Sequence, residues 1–430
     1  MKEKRNKLFI EKNSTIFCLL SAIGLLITII SIQLTHGENI SKIFFRDRLD
    51  TGMDFFHSIE YTRGLSPYKA WGTLYPPLAN LFFYFIYHMV PRFVSDQWPD
   101  SFSESVSVRG TSIDLRLSQE PLLLFVIYIV IISVLMCCIL HNYLKNLKNV
   151  GIVVFFSMLS YGMLYAYERG NISIISLFCS AFFVFYKDSD NKYIRELSLV
   201  MLAVAAGLKI YPAFLGFILL YDKDYKRAAR TVLYGMFFFF IPFFAFYEGI
   251  GGLPIFLNKL FAFQSSTGIN LNGFSFANIM NLLAAIFSRI CGMELNEDML
   301  IKFGSLSNYL VSLFLLLIGF RLNKYWQKVL ACCLAMQLYS SQGIYITIFL
   351  LLPLFVLFHD EENVCTIENM IMTIMLSIAL ILLPLYDLDD FIISIKYLRF
   401  QVDLFAMFLF MLVKAIESFK KNQLSDAVIR

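Results

Sequence analysis

Three groups of side chains in this 430-residue sequence have the types and spacing to do chemistry. Asp54 is an acid set between Met53 and the pair Phe55-Phe56. Lys209 is an ammonium inside the apolar run AVAAGLKIYPAFLGF, with Pro212 three residues on. Glu168-Arg169-Gly170-Asn171 forms a charged tip between two apolar runs. A carboxylate among apolar neighbours is costly to desolvate and usually has a reason to be there; one such reason is to take a proton from a hydroxyl. An ammonium in a low-dielectric setting can hold a phosphate. Acids beside Lys and Arg at a lipid-adjacent surface therefore suit an anionic lipid headgroup together with a proton acceptor.

Each group also has a plainer reading. Lys209 could snorkel to an interface, and Pro212 would simply end a helix for want of an N–H. Glu168 and Arg169 could satisfy only each other. Asp47 and Asp50 sit in the alternating run Arg46-Asp47-Arg48-Leu49-Asp50, where local pairing serves them. Asp54 has no Lys or Arg within three positions, so weak solvation without a cation predicts a carboxyl raised toward the working range of a base. His57 lies three residues from Asp54, an inviting acid–base pair with little else behind it.

Other chemistry lacks its parts. There is no P-loop, GxGxxG, HExxH or GxSxG, and no DxD in the first outer loop to hold a divalent metal and a sugar nucleotide. The eight cysteines (18, 137, 138, 179, 291, 332, 333 and 365) show no CxxC spacing and mostly lie in apolar runs, as small hydrophobes do. No metal and no cofactor is expected.

The elements that must position these groups are membrane helices. The chain is 58% hydrophobic and 16% charged, with a mean hydropathy of +0.67; soluble domains are nearer half apolar and a quarter charged. Aromatics reach 17%, as suits lipid-facing surfaces and interface belts. A net charge of +4 is too small for a nucleic-acid surface. The basic start MKEKRNKLFIEK followed by an apolar stretch over 14–34 predicts an uncleaved first helix with a cytoplasmic amino end. Further apolar runs are separated by basic connectors at 142–149, 187–195, 222–230 and 321–328, and by the tail from Lys414. Keeping all of these in the cytoplasm requires 75–93 to lie along the outer surface and 196–222 to be two short helices broken at Lys209–Pro212. The segment 276–291 then also stays outside. The result is an all-α polytopic membrane protein of about twelve crossings, a single domain over 1–430 with both termini cytoplasmic. In a rival register 75–93 crosses and 196–222 is one helix, which moves Lys145, Lys148, Lys187, Lys192 and Arg195 outside. The preferred register gathers polar residues on the outer face, in a first outer loop (35–74), the tips 167–171, 209–212 and 340–343, and a large outer loop (249–302).

The order of these segments resembles a known family. Asp54-Phe55, Gly64-x-x-Pro67-Tyr68 and Tyr75-Pro76-Pro77-Leu78 resemble the first outer loop of the GT-C membrane glycosyltransferases, above all glycosyltransferase family 87, whose members use polyprenyl-phosphate mannose. Gly170-Asn171 is similar to that family's Gly-Gln-x-Asn tip, though without the Gln. Gly207-Leu208-Lys209-x-x-Pro212 is similar to its Lys-x-x-Pro element, and Asn272-Gly273-x-Ser275 to its Asn-x-Ser. Gln342 stands near where relatives can carry a His. The resemblance covers roughly residues 14–345. It implies a GT-C-like bundle with outer juxtamembrane helices and transfer of a sugar from a polyprenyl phosphate to a glycan or glycolipid acceptor, with inversion. Asp54 would be the base, with Lys209 and Arg63 on the donor phosphate. Asp50, Tyr68, Tyr75, Glu168, Arg169, Asn171, Asn272 and Gln342 would line the substrates. Membrane lipids and the two substrates are the implied partners. A transporter or flippase of lipid-linked sugars, or a polysaccharide polymerase, are the alternatives; no internal repeat supports the transporter.

Overall fold

In a computed structural model the described residues are 12–38, 51–90, 115–266, 297–339, 343–362, 366–383 and 395–429, with a few single positions between them. They are all-helical, with no strand among them. After α1 (Asn13–Leu34) the chain forms α2 (Met53–Thr62) and then α3 (Pro77–Tyr87). Then come α4 (Gln119–Tyr143), α5 (Val150–Met158), α6 (Tyr161–Arg169), α7 (Ser173–Tyr186) and α8 (Lys192–Leu208). A 3-10 turn over Tyr211–Gly216 precedes α9 (Phe217–Tyr221) and α10 (Tyr225–Phe240). The chain closes with α11 (Gly252–Ser266), α12 (Glu297–Ile318), α13 (Tyr325–Tyr339), α14 (Gly343–Ile346), α15 (Leu351–Glu361), α16 (Ile367–Leu380) and α17 (Ile395–Ile429).

Five of the described helices are long and apolar enough to cross a bilayer, or six if α5 and α6, bent by 52°, form one span. Twelve is therefore not reached on length and composition. The reason is physical: α7 and α16 have 14 residues each and are largely buried among their neighbours, so neither presents a bilayer-length apolar surface. The stretch 75–93 yields α3, whose 11 residues extend about 16 Å, roughly half a hydrocarbon core.

The basic connectors meet at one end of the bundle. Lys187 and Lys328 each place Nζ 2.8 Å from an Asp222 carboxylate oxygen, and Arg227 bridges Asp188 at 3.0 Å and Asp224 at 2.6 Å. Ser14, at the start of α1, donates to Asn149 at 3.0 Å and also bonds Glu362, while Lys414 reaches Glu368 at 3.4 Å. The rival register, which parts Lys187 from Asp222 by a membrane, conflicts with this pairing. At the other end stand α2, the α6–α7 tip and the break after α8.

The core between the two ends runs through α13 and α15. Trp326 and the run from Ile348 to Phe358, Pro353 among them, are buried there.

Candidate active site

Two left-handed glycines bring Asp54 and the α6–α7 tip together. Gly52 (φ +72) caps α2, and its N–H donates to the Glu168 carbonyl at 2.9 Å. Gly170 (φ +65) ends α6 with paired bonds, Asn171 N–H to Ala166 O and Gly170 N–H to Tyr167 O, both at 3.0 Å. A Cβ on Gly170 would lie 2.6 Å from Phe125 and 2.8 Å from the Cβ of Phe55, so the two segments can approach this closely only through glycine.

The consequence falls on Asp54. Arg169 Nη2 lies 3.2 Å from Asp54 Oδ1, and Asn171 Nδ2 donates to Oδ2 at 2.7 Å. Tyr345, on α14, donates from its hydroxyl to the same carboxylate. Burial pushes the carboxyl up, but the Arg169 guanidinium and these hydrogen bonds outweigh it and hold it below the usual carboxylate value. That reverses the expectation of a raised value without a cation. The cation arrives from a tip 115 positions away, which a window of three residues does not contain. Asn171 is itself fixed: it is fully buried, and its Oδ1 accepts from the Ser173 N–H at 2.9 Å and the Ser173 hydroxyl at 2.5 Å.

Lys209 lines the same cavity as Asp54. After α8 the backbone is extended at Lys209 (φ −144°, ψ 132°), and Pro212 then opens the 3-10 turn, so the expected break at Lys209–Pro212 is present. The side chain is 6% exposed, and its Nζ lies 4.2 Å from the Tyr75 ring centroid. Among the described residues it makes no ion pair. Tyr75 is set by Pro76 and Pro77, which start α3, and by bonds to its carbonyl from Tyr68 at 3.3 Å and Asn80 at 3.2 Å.

Asp54, Lys209 and Tyr75 line one cavity of about 440 Å³. His57, Tyr61, Trp71 and Tyr211 line it too, and Ile210, Ala213, Phe214, Leu260 and Phe263 supply an apolar flank.

Among the sequence candidates, Asp54, Tyr75, Arg169, Asn171 and Lys209 thus come together. Glu168 contributes its backbone carbonyl to Gly52. Tyr68 does not line the cavity; it is buried against Phe243 and Phe256, bracing Tyr75 from behind. Arg63 pairs with Glu60 at 3.4 Å and is not part of the cavity lining. Asp50, Asn272 and Gln342 lie outside the described residues. Sequence reasoning missed Tyr345, which follows the tip singled out at 340–343, and gave no role to Tyr211, which lies inside the tip 209–212.

What the arrangement can do follows from its parts. A carboxylate held below its usual value and a lysine line one cavity, together with apolar side chains. Among the described residues no group of His, Cys, Asp and Glu is arranged to hold a metal. In comparisons with known proteins, the sequence model of glycosyltransferase family 87 matches residues 74–341. No curated protein and no solved structure matches.

Proposed function

Because the chain belongs to glycosyltransferase family 87, we propose that it moves a sugar from a polyprenyl phosphate to a glycan or glycolipid acceptor, at the end of a GT-C-like bundle that faces away from the cytoplasm. The observation that carries this is that Asp54 and Lys209 line one cavity together with a set of apolar side chains. A lipid phosphate needs a cation and a greasy channel together, and Lys209 with Ile210, Phe214, Leu260 and Phe263 supplies both.

The chemistry is a displacement at the anomeric carbon. The acceptor hydroxyl oxygen bonds to that carbon as the bond to the phosphate oxygen breaks. The departing electron pair stays on the lipid phosphate, where Lys209 stabilises it. The hydroxyl proton passes to Asp54. Attack from the face opposite the phosphate inverts the centre. Arg169 keeps Asp54 ionised and so ready to accept, and Asn171 fixes its orientation.

Sidedness rests on the gathered basic connectors, which by the positive-inside rule belong in the cytoplasm with both termini. Counting the shorter apolar helices α7 and α16 as crossings packed among their neighbours is part of the same proposal of about twelve crossings. The test is to incubate purified protein with radiolabelled polyprenyl-phosphate sugars and a membrane extract. Transfer of label to extract glycans supports the proposal; donor movement across a proteoliposome without transfer would favour a flippase.

A further inference from the structure

One wall of the cavity is left unused by that chemistry. It runs from Asp54 along α2 and consists of His57, Tyr61 and Trp71, with ring centroids 5.9 Å apart for His57 and Tyr61 and 5.7 Å for Tyr61 and Trp71. The rings are tilted by 35° and 42°, so they form a curved row rather than a sandwich. We propose that this row is the acceptor subsite, and that its occupant is a glycan of disaccharide length or longer whose terminal hydroxyl meets Asp54. The subsite depends on the transferase chemistry above and deepens it.

The case is geometric and chemical. Asp54 and Tyr61 are seven positions apart on the helix, a span of about 10 Å along the axis, which is the length of a disaccharide rather than of one ring. Aromatic faces carry negative charge density and attract the polarised C–H face of a sugar, while the Tyr hydroxyl, Trp N–H and His nitrogens can hydrogen-bond its edge. An aliphatic lipid chain would need none of those polar edges, and the cavity lining offers it the apolar side chains of Ile210, Ala213, Phe214, Leu260 and Phe263 as well. The row is also preorganised. The turn bearing Trp71 is tied by Gly72 N–H to Tyr68 O at 3.0 Å and Thr73 N–H to Pro67 O at 3.1 Å. Glu248 anchors the same loop, accepting from the Lys69 N–H at 3.1 Å and from the Ser66 hydroxyl. A rigid platform binds with little ordering cost.

The experiment uses the full-length protein in nanodiscs, saturating radiolabelled polyprenyl-phosphate hexose, and the glycolipid fraction of the host membrane, intact or trimmed by exoglycosidase to a single sugar. In Trp71→Ala the half-saturating amount of intact acceptor should rise about tenfold, the loss of one well-packed aromatic contact. The maximal rate and the half-saturating donor concentration should stay as in the wild type, and Trp71→Phe should recover most of the loss. Trimming should cost the wild type a similar factor and Trp71→Ala much less. Tyr61→Leu provides a second variant with the same expected pattern. Acceptor kinetics unchanged in both variants, or a loss that appears in donor saturation instead, would overturn the subsite. A wild type that transfers no label to either fraction would remove the transferase premise itself, a result distinct from either of those.

Discussion

Replacing Arg169 with Met should separate the ionisation of Asp54 from its position. The guanidinium lies 3.2 Å from the carboxylate, and both side chains are 17% exposed, so solvent screens the pair only partly. At an effective dielectric near 20, charges this close attract by roughly 5 kcal/mol before desolvation is subtracted. Removing such a partner commonly raises a carboxyl pKa by about 1–3 pH units. The hydrogen bonds from Asn171 and Tyr345 remain, so the carboxylate keeps its orientation. The sign follows from the role of the group. A base works ionised, and the wild-type carboxyl is held below its usual value, so the acid limb of kcat/KM for Asp54 should lie below the range of an ordinary carboxylate. In Arg169→Met that limb should move up by about 1–3 pH units, with the rate on the plateau kept within roughly tenfold. Stability follows the same linkage. A depressed native value stabilises the fold above the unfolded carboxyl value of about 3.9, and that contribution is lost as pH falls through the native value. Arg169→Met should therefore melt at a lower temperature than the wild type at pH 7 and by a smaller margin in acid. Superimposable pH–rate profiles for the two proteins would refute this assignment of the cation.

Lys209→Ala should raise the half-saturating donor concentration about tenfold or more, with partial recovery in Lys209→Arg, since charge-assisted contacts contribute about 1.5–3 kcal/mol; unchanged donor kinetics would return Lys209 to a snorkelling role. Gly170→Ala should destabilise by about 1–3 kcal/mol, read as a lowered melting temperature, because its Cβ would meet Phe125 and Phe55 at a positive φ. A single cysteine at Ser189, with native cysteines replaced, should resist an impermeant thiol reagent in intact cells; labelling there would reverse the proposed sidedness.

Much of this site was legible because its signals are local. Pro212 cannot extend α8, so the break beside Lys209 follows from one residue and its missing N–H. The basic connectors carry a topology rule in their composition, and the ion pairs from Lys187 and Lys328 to Asp222 place them at one end as that rule requires. The pairing of Asp54 with Arg169 was not legible from neighbours, because the closure is made by Gly52 and Gly170 from distant segments. The burial of Tyr68 was likewise not legible: it sits in the first-loop pattern, and its ring packs against Phe243 and Phe256. The crossing count was hard to read because helices such as α7 bury Ser176 and Ser180 against protein, so hydropathy and length understate what packing can hold.

The central claim is that Asp54 takes the acceptor's proton. Single-turnover transfer of radiolabelled sugar from polyprenyl phosphate, measured for the wild type and Asp54→Asn in nanodiscs, tests it most directly. The amide keeps the shape and can still bond Asn171 but cannot accept the proton, so the protein should fold and bind donor, with a melting temperature lowered as in Arg169→Met by loss of the same ion pair, while transfer slows by roughly 100-fold or more. A folded Asp54→Asn that binds donor and transfers sugar at the wild-type rate would contradict it.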